Sequence, residues 1–108
     1  MSKTLENLMT DVVEQGYCDY WGYVDVVVRN SDNDVVEFNI YESDEPYKGG
    51  TITREKLLEA RRKLLDGEIE IHASWAAWLI GKEEDWDYDA TTADFLIQAA
   101  AFGEIRYS

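Results

Sequence analysis

Residues 20 to 42 constrain this chain more than any other stretch. Tyr20 to Arg29 is rich in β-branched and aromatic residues, which suit a pleated, half-buried surface. Strict alternation places Val24, Val26 and Val28 on one face and Tyr23, Asp25, Val27 and Arg29 on the other. Asn30-Ser31-Asp32-Asn33-Asp34 is turn chemistry. Val35 to Glu42 then resumes the alternation, with Val36, Phe38 and Ile40 opposite Val35, Glu37, Asn39 and Tyr41. Two such runs across a polar turn predict an antiparallel hairpin. A lone hairpin is barely stable in water, so the remaining chain must cover one of its faces.

The flanking segments supply that cover. Leu5, Leu8, Met9, Val12 and Val13 recur at helical spacing and form one apolar stripe. Thr4 is a plausible cap, and Gly16 is placed to end the helix in a left-handed conformation. Ser43 to Gly50, with Pro46 and Gly49-Gly50, reads as a loop. Thr53 caps a second helix, with Ile52 and Leu57 set as a hydrophobic staple and Leu58, Leu64 and Leu65 further along the face. Gly67 stops it. Glu68 to Ile71 reads as a short strand. Ala73 to Ile80 reads as a buried, tryptophan-bearing helix ending at Gly81. A last helix, capped by Asp89 or Thr91, runs to Ala101 with Phe95, Leu96, Ala99 and Phe102 packed, and Gly103 ends it. Glu104 to Tyr107 follows as a strand or extended tail. The predicted class is α+β: a small antiparallel sheet, the hairpin of about residues 20–42 plus short strands, against three or four helices. One domain spanning 1–108 fits this length.

Charge narrows the partners. The chain carries 23 acids against 10 Lys and Arg, a net of -13 in 108 residues. Such a field repels nucleic acid and anionic membrane and attracts basic surfaces. Arg54 to Lys63 holds five bases and two acids, a net of +3, so the rest of the chain carries -16. Sixteen charges match about 27 Å of duplex at one phosphate per roughly 1.7 Å, so acids gathered on one face could fill a DNA-binding groove. The hydrophobic fraction of 45% sets the chain apart from a disordered acidic tail. A single cysteine, Cys18, precludes an intrachain disulfide, and a reduced cytoplasmic setting is the default. The first residues have no apolar signal-peptide core, and no apolar run has the length of a membrane span.

No residue set specifies a reaction, cofactor or metal. Asp85-Trp86-Asp87-Tyr88-Asp89 opens like a calcium loop. Ala90 and Leu96 stand where that loop needs its turn glycine and its bidentate glutamate. Cys18 and His72 are the only thiol and imidazole. The acids around Cys18 oppose thiolate formation, which nucleophilic catalysis requires. Trp75 and Trp78, three apart, read as core. Trp21 and Trp86 instead lie among acids and tyrosines: Asp19 and Tyr20 on one side, Glu83, Glu84, Asp85, Asp87, Tyr88 and Asp89 on the other. Acids interleaved with aromatics suit a Lys- and Arg-rich protein surface through ion pairs and cation–π contact. The alternative is a half-buried aromatic beneath a solvated loop.

Cys18-Asp19-Tyr20-Trp21, Thr92 to Gln98 and Phe102 to Tyr107 together resemble segments of small acidic accessory proteins of phages and mobile elements. The likeness lies chiefly in the C-terminal third and transfers no functional residue. It implies a protein that acts by binding a host protein. The expected function is therefore a non-enzymatic binder of a basic protein surface, including a nucleic-acid-mimicking inhibitor. The alternative is a structural or assembly homo-oligomer, such as a small homodimer, whose acidity serves solubility only.

Overall fold

A computed structural model describes residues 5–44, 49–70 and 90–107. Within them the fold is α+β. Helix α1 (Leu5–Gln15) leads into strand β1 (Gly22–Arg29), strand β2 (Val35–Glu42), strand β3 (Gly49–Thr53), helix α2 (Arg54–Leu65) and helix α3 (Ala90–Phe102). The three strands form one antiparallel sheet in the order β1-β2-β3, so β1 is an edge among the described residues. The helices lie against it around one apolar cluster: Leu5, Leu8 and Val12 from α1, Phe38 and Ile40 from β2, Ile52 from β3, Leu57 and Leu64 from α2, Leu96 and Ile97 from α3, with only the partly buried Val24 of β1 packed against it.

Local chemistry sets the boundaries. Gly16 and Gly103 follow their helices at φ +68° and +73°, where a side chain would be strained. The Thr53 hydroxyl accepts the Lys56 N–H at 3.3 Å and caps α2. Ile52 and Leu57, on either side of that cap, are both fully buried.

Two expectations change. Gly49–Thr53, read as loop and helix approach, is a third strand. A Cβ at Gly49 would meet the Ile40 carbonyl oxygen at 2.0 Å, so this glycine, which suggested a loop, instead permits close strand approach. Glu68 to Glu70 forms no strand; its backbone folds back as a turn, with the Glu68 and Ile69 N–H groups bonded to the Lys63 carbonyl. Of the two readings offered for Glu104 to Tyr107, strand or tail, the structure takes the tail. The helix expected at Ala73 to Ile80 lies outside the described residues.

The hairpin alternation also fails halfway along β1. The register passes from Asp25↔Asn39 to Val28↔Glu37, so two residues, Val26 and Val27, face the single Phe38. Val26 takes φ +51°, an uncommon conformation for a β-branched residue. A second slip, from Val28↔Glu37 to Arg29↔Val35, brings Val35 rather than Val36 into the core. These two irregularities leave Val26, Val27 and Val28 outside the core. They are 59%, 39% and 41% exposed.

Candidate functional site

The residues expected to bind a partner fall into two groups. Glu83, Glu84, Asp85, Trp86, Asp87, Tyr88 and Asp89 lie outside the described residues, as does His72. Asp19 is exposed in the turn that leads to β1. Trp21 is only 3% exposed, which corrects its expected place on a partner surface. The sequence shows its acidic neighbours but not where its ring points.

That ring points into a polar network built from segments far apart in the chain. Its face stacks on Tyr107 at 5.4 Å with an interplanar angle of 5°, and Phe102 meets it edge-on at 5.3 Å. Its Nε1 donates to Asp94 Oδ1 at 2.7 Å. The same oxygen accepts Gln98 Nε2 at 3.1 Å and the Cys18 thiol at 3.4 Å, while Tyr20 donates its hydroxyl to Oδ2. Asp94 is 4% exposed, and hydrogen-bond donors converge on it in place of a cation. This is how a buried carboxylate becomes tolerable.

Gln98 extends the network to the tail. Its Oε1 accepts the backbone N–H groups of Arg106 and Tyr107 at 2.8 and 2.7 Å, and its Nε2 also reaches the Tyr107 carbonyl at 2.9 Å. Tyr107 in turn donates its hydroxyl to Glu42 at 2.9 Å, and Arg106 pairs with Glu42 at 2.8 Å. Glu42 is a buried strand residue, so tail, sheet and α3 are joined through it. The sequence reading missed Asp94 and Gln98. Their i,i+4 spacing within an apolar helix was the available sign, because it puts both on one buried face.

The network disfavours nucleophilic chemistry at Cys18. Burial is the main force that raises the thiol pKa, and the Asp94 carboxylate adds to it by charge and by accepting the S–H. Tyr20 is raised as well, first by desolvation of its hydroxyl end and then by its bond to Asp94. Both groups stay protonated in the fold at pH values where they ionise in the unfolded chain. The folded chain therefore holds more protons than the unfolded one, and stability falls as pH rises from about 9, the thiol's ordinary range. Thermal unfolding followed from pH 7 to 11 should show this decline starting near pH 9, with a shallower slope in Cys18→Ala. An unchanged slope in that variant would remove the thiol from the account.

Ion pairs are distributed unevenly. Arg62 on α2 contacts Glu59, Asp66 and Glu68 at 2.7–2.8 Å, and Arg54 reaches Glu6 at 3.1 Å. Arg54 and Arg62 of the Arg54–Lys63 segment are thus engaged by neighbouring acids. Around the hairpin the balance is opposite. Arg29 is the one base between Asp19 and Glu37, and it contacts Glu14 at 3.2 Å. Asp19, Asp25, Asp32 and Asp34 make no ion pair among the described residues.

Among the described residues there is no group of three or more His, Cys, Asp or Glu placed to hold a metal, and no helix long and apolar enough to cross a membrane. Comparison with protein-family models, curated proteins and solved structures finds no match to the chain.

Proposed function

We propose that the chain is a non-enzymatic binding protein that occupies a basic surface of a partner protein, in the manner of a nucleic-acid mimic that inhibits a nucleic-acid-handling host protein. The observation that supports this most is where the cations go. Arg54 and Arg62 of α2 are engaged by acids of the chain itself, whereas Asp19, Asp25, Asp32 and Asp34 around the hairpin have no cationic partner among the described residues. A net charge of -13 then acts outward with little local compensation. Lys- and Arg-rich surfaces built to hold phosphate are the natural complement. Direct nucleic-acid or membrane binding opposes the same field. The resemblance to accessory proteins of phages and mobile elements, and a cytoplasmic setting, belong to this reading. The acid-rich segment Glu83 to Asp89, with Trp86 as apolar anchor, is proposed as part of the surface, together with Asp19.

The test is a binding measurement against a panel of basic nucleases and polymerases from the host, in a salt series and with duplex DNA as competitor. The proposal expects affinity to fall steeply with salt and DNA to displace the protein. Asp85→Asn with Asp87→Asn should slow association while leaving thermal stability unchanged or slightly raised. Binding that ignores both salt and DNA would overturn the electrostatic reading.

A further inference from the structure

The edge of the sheet carries a pattern that partner binding through acids does not explain. Among the described residues β1 is an edge strand, and its bulge turns Val26, Val27 and Val28 outward together. Edge bulges commonly protect a sheet from unwanted pairing, usually with charge presented alongside. Here the bulge presents three consecutive valines instead, a run that is costly to leave in water unless something covers it. Val26 is held in its left-handed conformation with its N–H turned to the Asp25 carboxylate at 2.9 Å, so the exposed arrangement is locally fixed.

Charge identifies the cover. The exposed stretch reads Asp25-Val26-Val27-Val28-Arg29, with an acid at one end and a base at the other. If two such strands run antiparallel about a two-fold axis at Val27, Val26 stands opposite Val28 of the second copy. Asp25 then stands opposite Arg29 of the second copy, and the pairing occurs twice. The segment is complementary to itself, which is what an isologous interface requires. A strand meant for a basic peptide gains nothing from Arg29 at its end. Among the described residues Arg29 contacts Glu14 Oε1 and the Asn33 carbonyl, both through Nη1. Asp25 commits Oδ1 to the Val26 N–H. A guanidinium has five N–H donors and a carboxylate about four acceptor positions, so both can take a further partner.

We propose that β1 is a homodimerisation edge, on which a second copy of this chain docks antiparallel through Val26 to Val28 and two reciprocal Asp25–Arg29 pairs. The irregular backbone at Val26 leaves the side chains to carry most of the contact, and a small interface of this kind supports a dimer with Kd on the order of micromolar. The proposal stands independently of the basic-partner reading. The two have opposite salt signatures. Two chains that each carry -13 repel, so salt tightens the dimer, whereas salt loosens a complex with a basic protein.

The experiment is sedimentation equilibrium of the full chain from about 0.05 to 0.5 M salt. A monomer–dimer equilibrium that shifts toward dimer with salt is expected. Val27→Lys places two like charges at the axis and should abolish the dimer. Asp25→Arg alone and Arg29→Asp alone each set like charges opposite one another and should weaken self-association on the order of tenfold or more. The decisive arm is mixing. When Asp25→Arg chains meet Arg29→Asp chains, both pairs become complementary again, and a heterodimer forms that neither chain makes alone. Circular dichroism of each variant checks that the fold is intact. A wild-type monomer at all salts, or a dimer that survives Val27→Lys, overturns the proposal. So does a mixture of the two charge variants that fails to associate. If Val27→Lys leaves the chain monomeric as before but abolishes binding to a basic protein, the edge belongs to that partner and not to a second copy.

Discussion

Trp21→Ala lowers the unfolding free energy by about 3–5 kcal/mol in equilibrium denaturation, near the top of the range for a single core substitution. The ring is almost wholly buried, stacked on Tyr107 and met at its edge by Phe102. Its removal leaves a cavity beneath the tail and withdraws the shortest nitrogen donor from Asp94. Trp21→Phe should restore part of the loss, because a ring returns to the stack but the indole N–H does not. If Trp21→Ala unfolds at wild-type denaturant concentration, the residue faces a partner after all and the network is wrongly placed.

Asp94→Ala is the second large effect, at about 2–4 kcal/mol. The carboxylate removes little apolar volume, so the cost arises differently. The Trp21 indole N–H loses its acceptor inside the protein, and the Gln98 amide loses one of its two. Buried donors without acceptors are expensive, whereas removing donor and acceptor together is milder. Combining Asp94→Ala with Trp21→Phe should therefore cost less than the sum of the two single changes, by about 1 kcal/mol or more. Strict additivity in this cycle would mean that the two residues do not share a bond.

The parts of the fold that were legible in the sequence are those governed by local rules. The α1 stripe, the Thr53 cap, the helix-ending glycines and the extent of β2 follow from periodicity and from backbone preferences of a few neighbouring residues. β3 was hidden because Gly49-Gly50 has the composition of a loop, and only the approach of the Ile40 backbone gives glycine a reason to sit in a strand. The bulge at Val26 was hidden because Val-Val-Val satisfies either register. The structure sets two of these valines opposite the single Phe38 on the neighbouring strand and leaves all three outside the core. Trp21 illustrates the limit for the site. Its sequence neighbours are acidic, but its spatial neighbours come from residues 94 to 107. Composition around a residue reports solvent-facing chemistry only when the residue itself faces solvent. The network joins two segments distant in the chain, Cys18 to Trp21 and Asp94 to Tyr107, and no local pattern links them.

The tail contact has a consequence for synthesis. A ribosome delivers α1, Trp21 and the whole hairpin long before it delivers Tyr107. Until Tyr107 has cleared the exit tunnel, the indole lacks its stacking partner and Glu42 lacks its phenol. The nascent chain thus passes most of its translation with an open core and an uncovered valine edge, and closes only in a late step set by contacts distant in sequence. During that interval the abundant like charge, which does nothing to hold the finished core together, keeps neighbouring nascent chains apart.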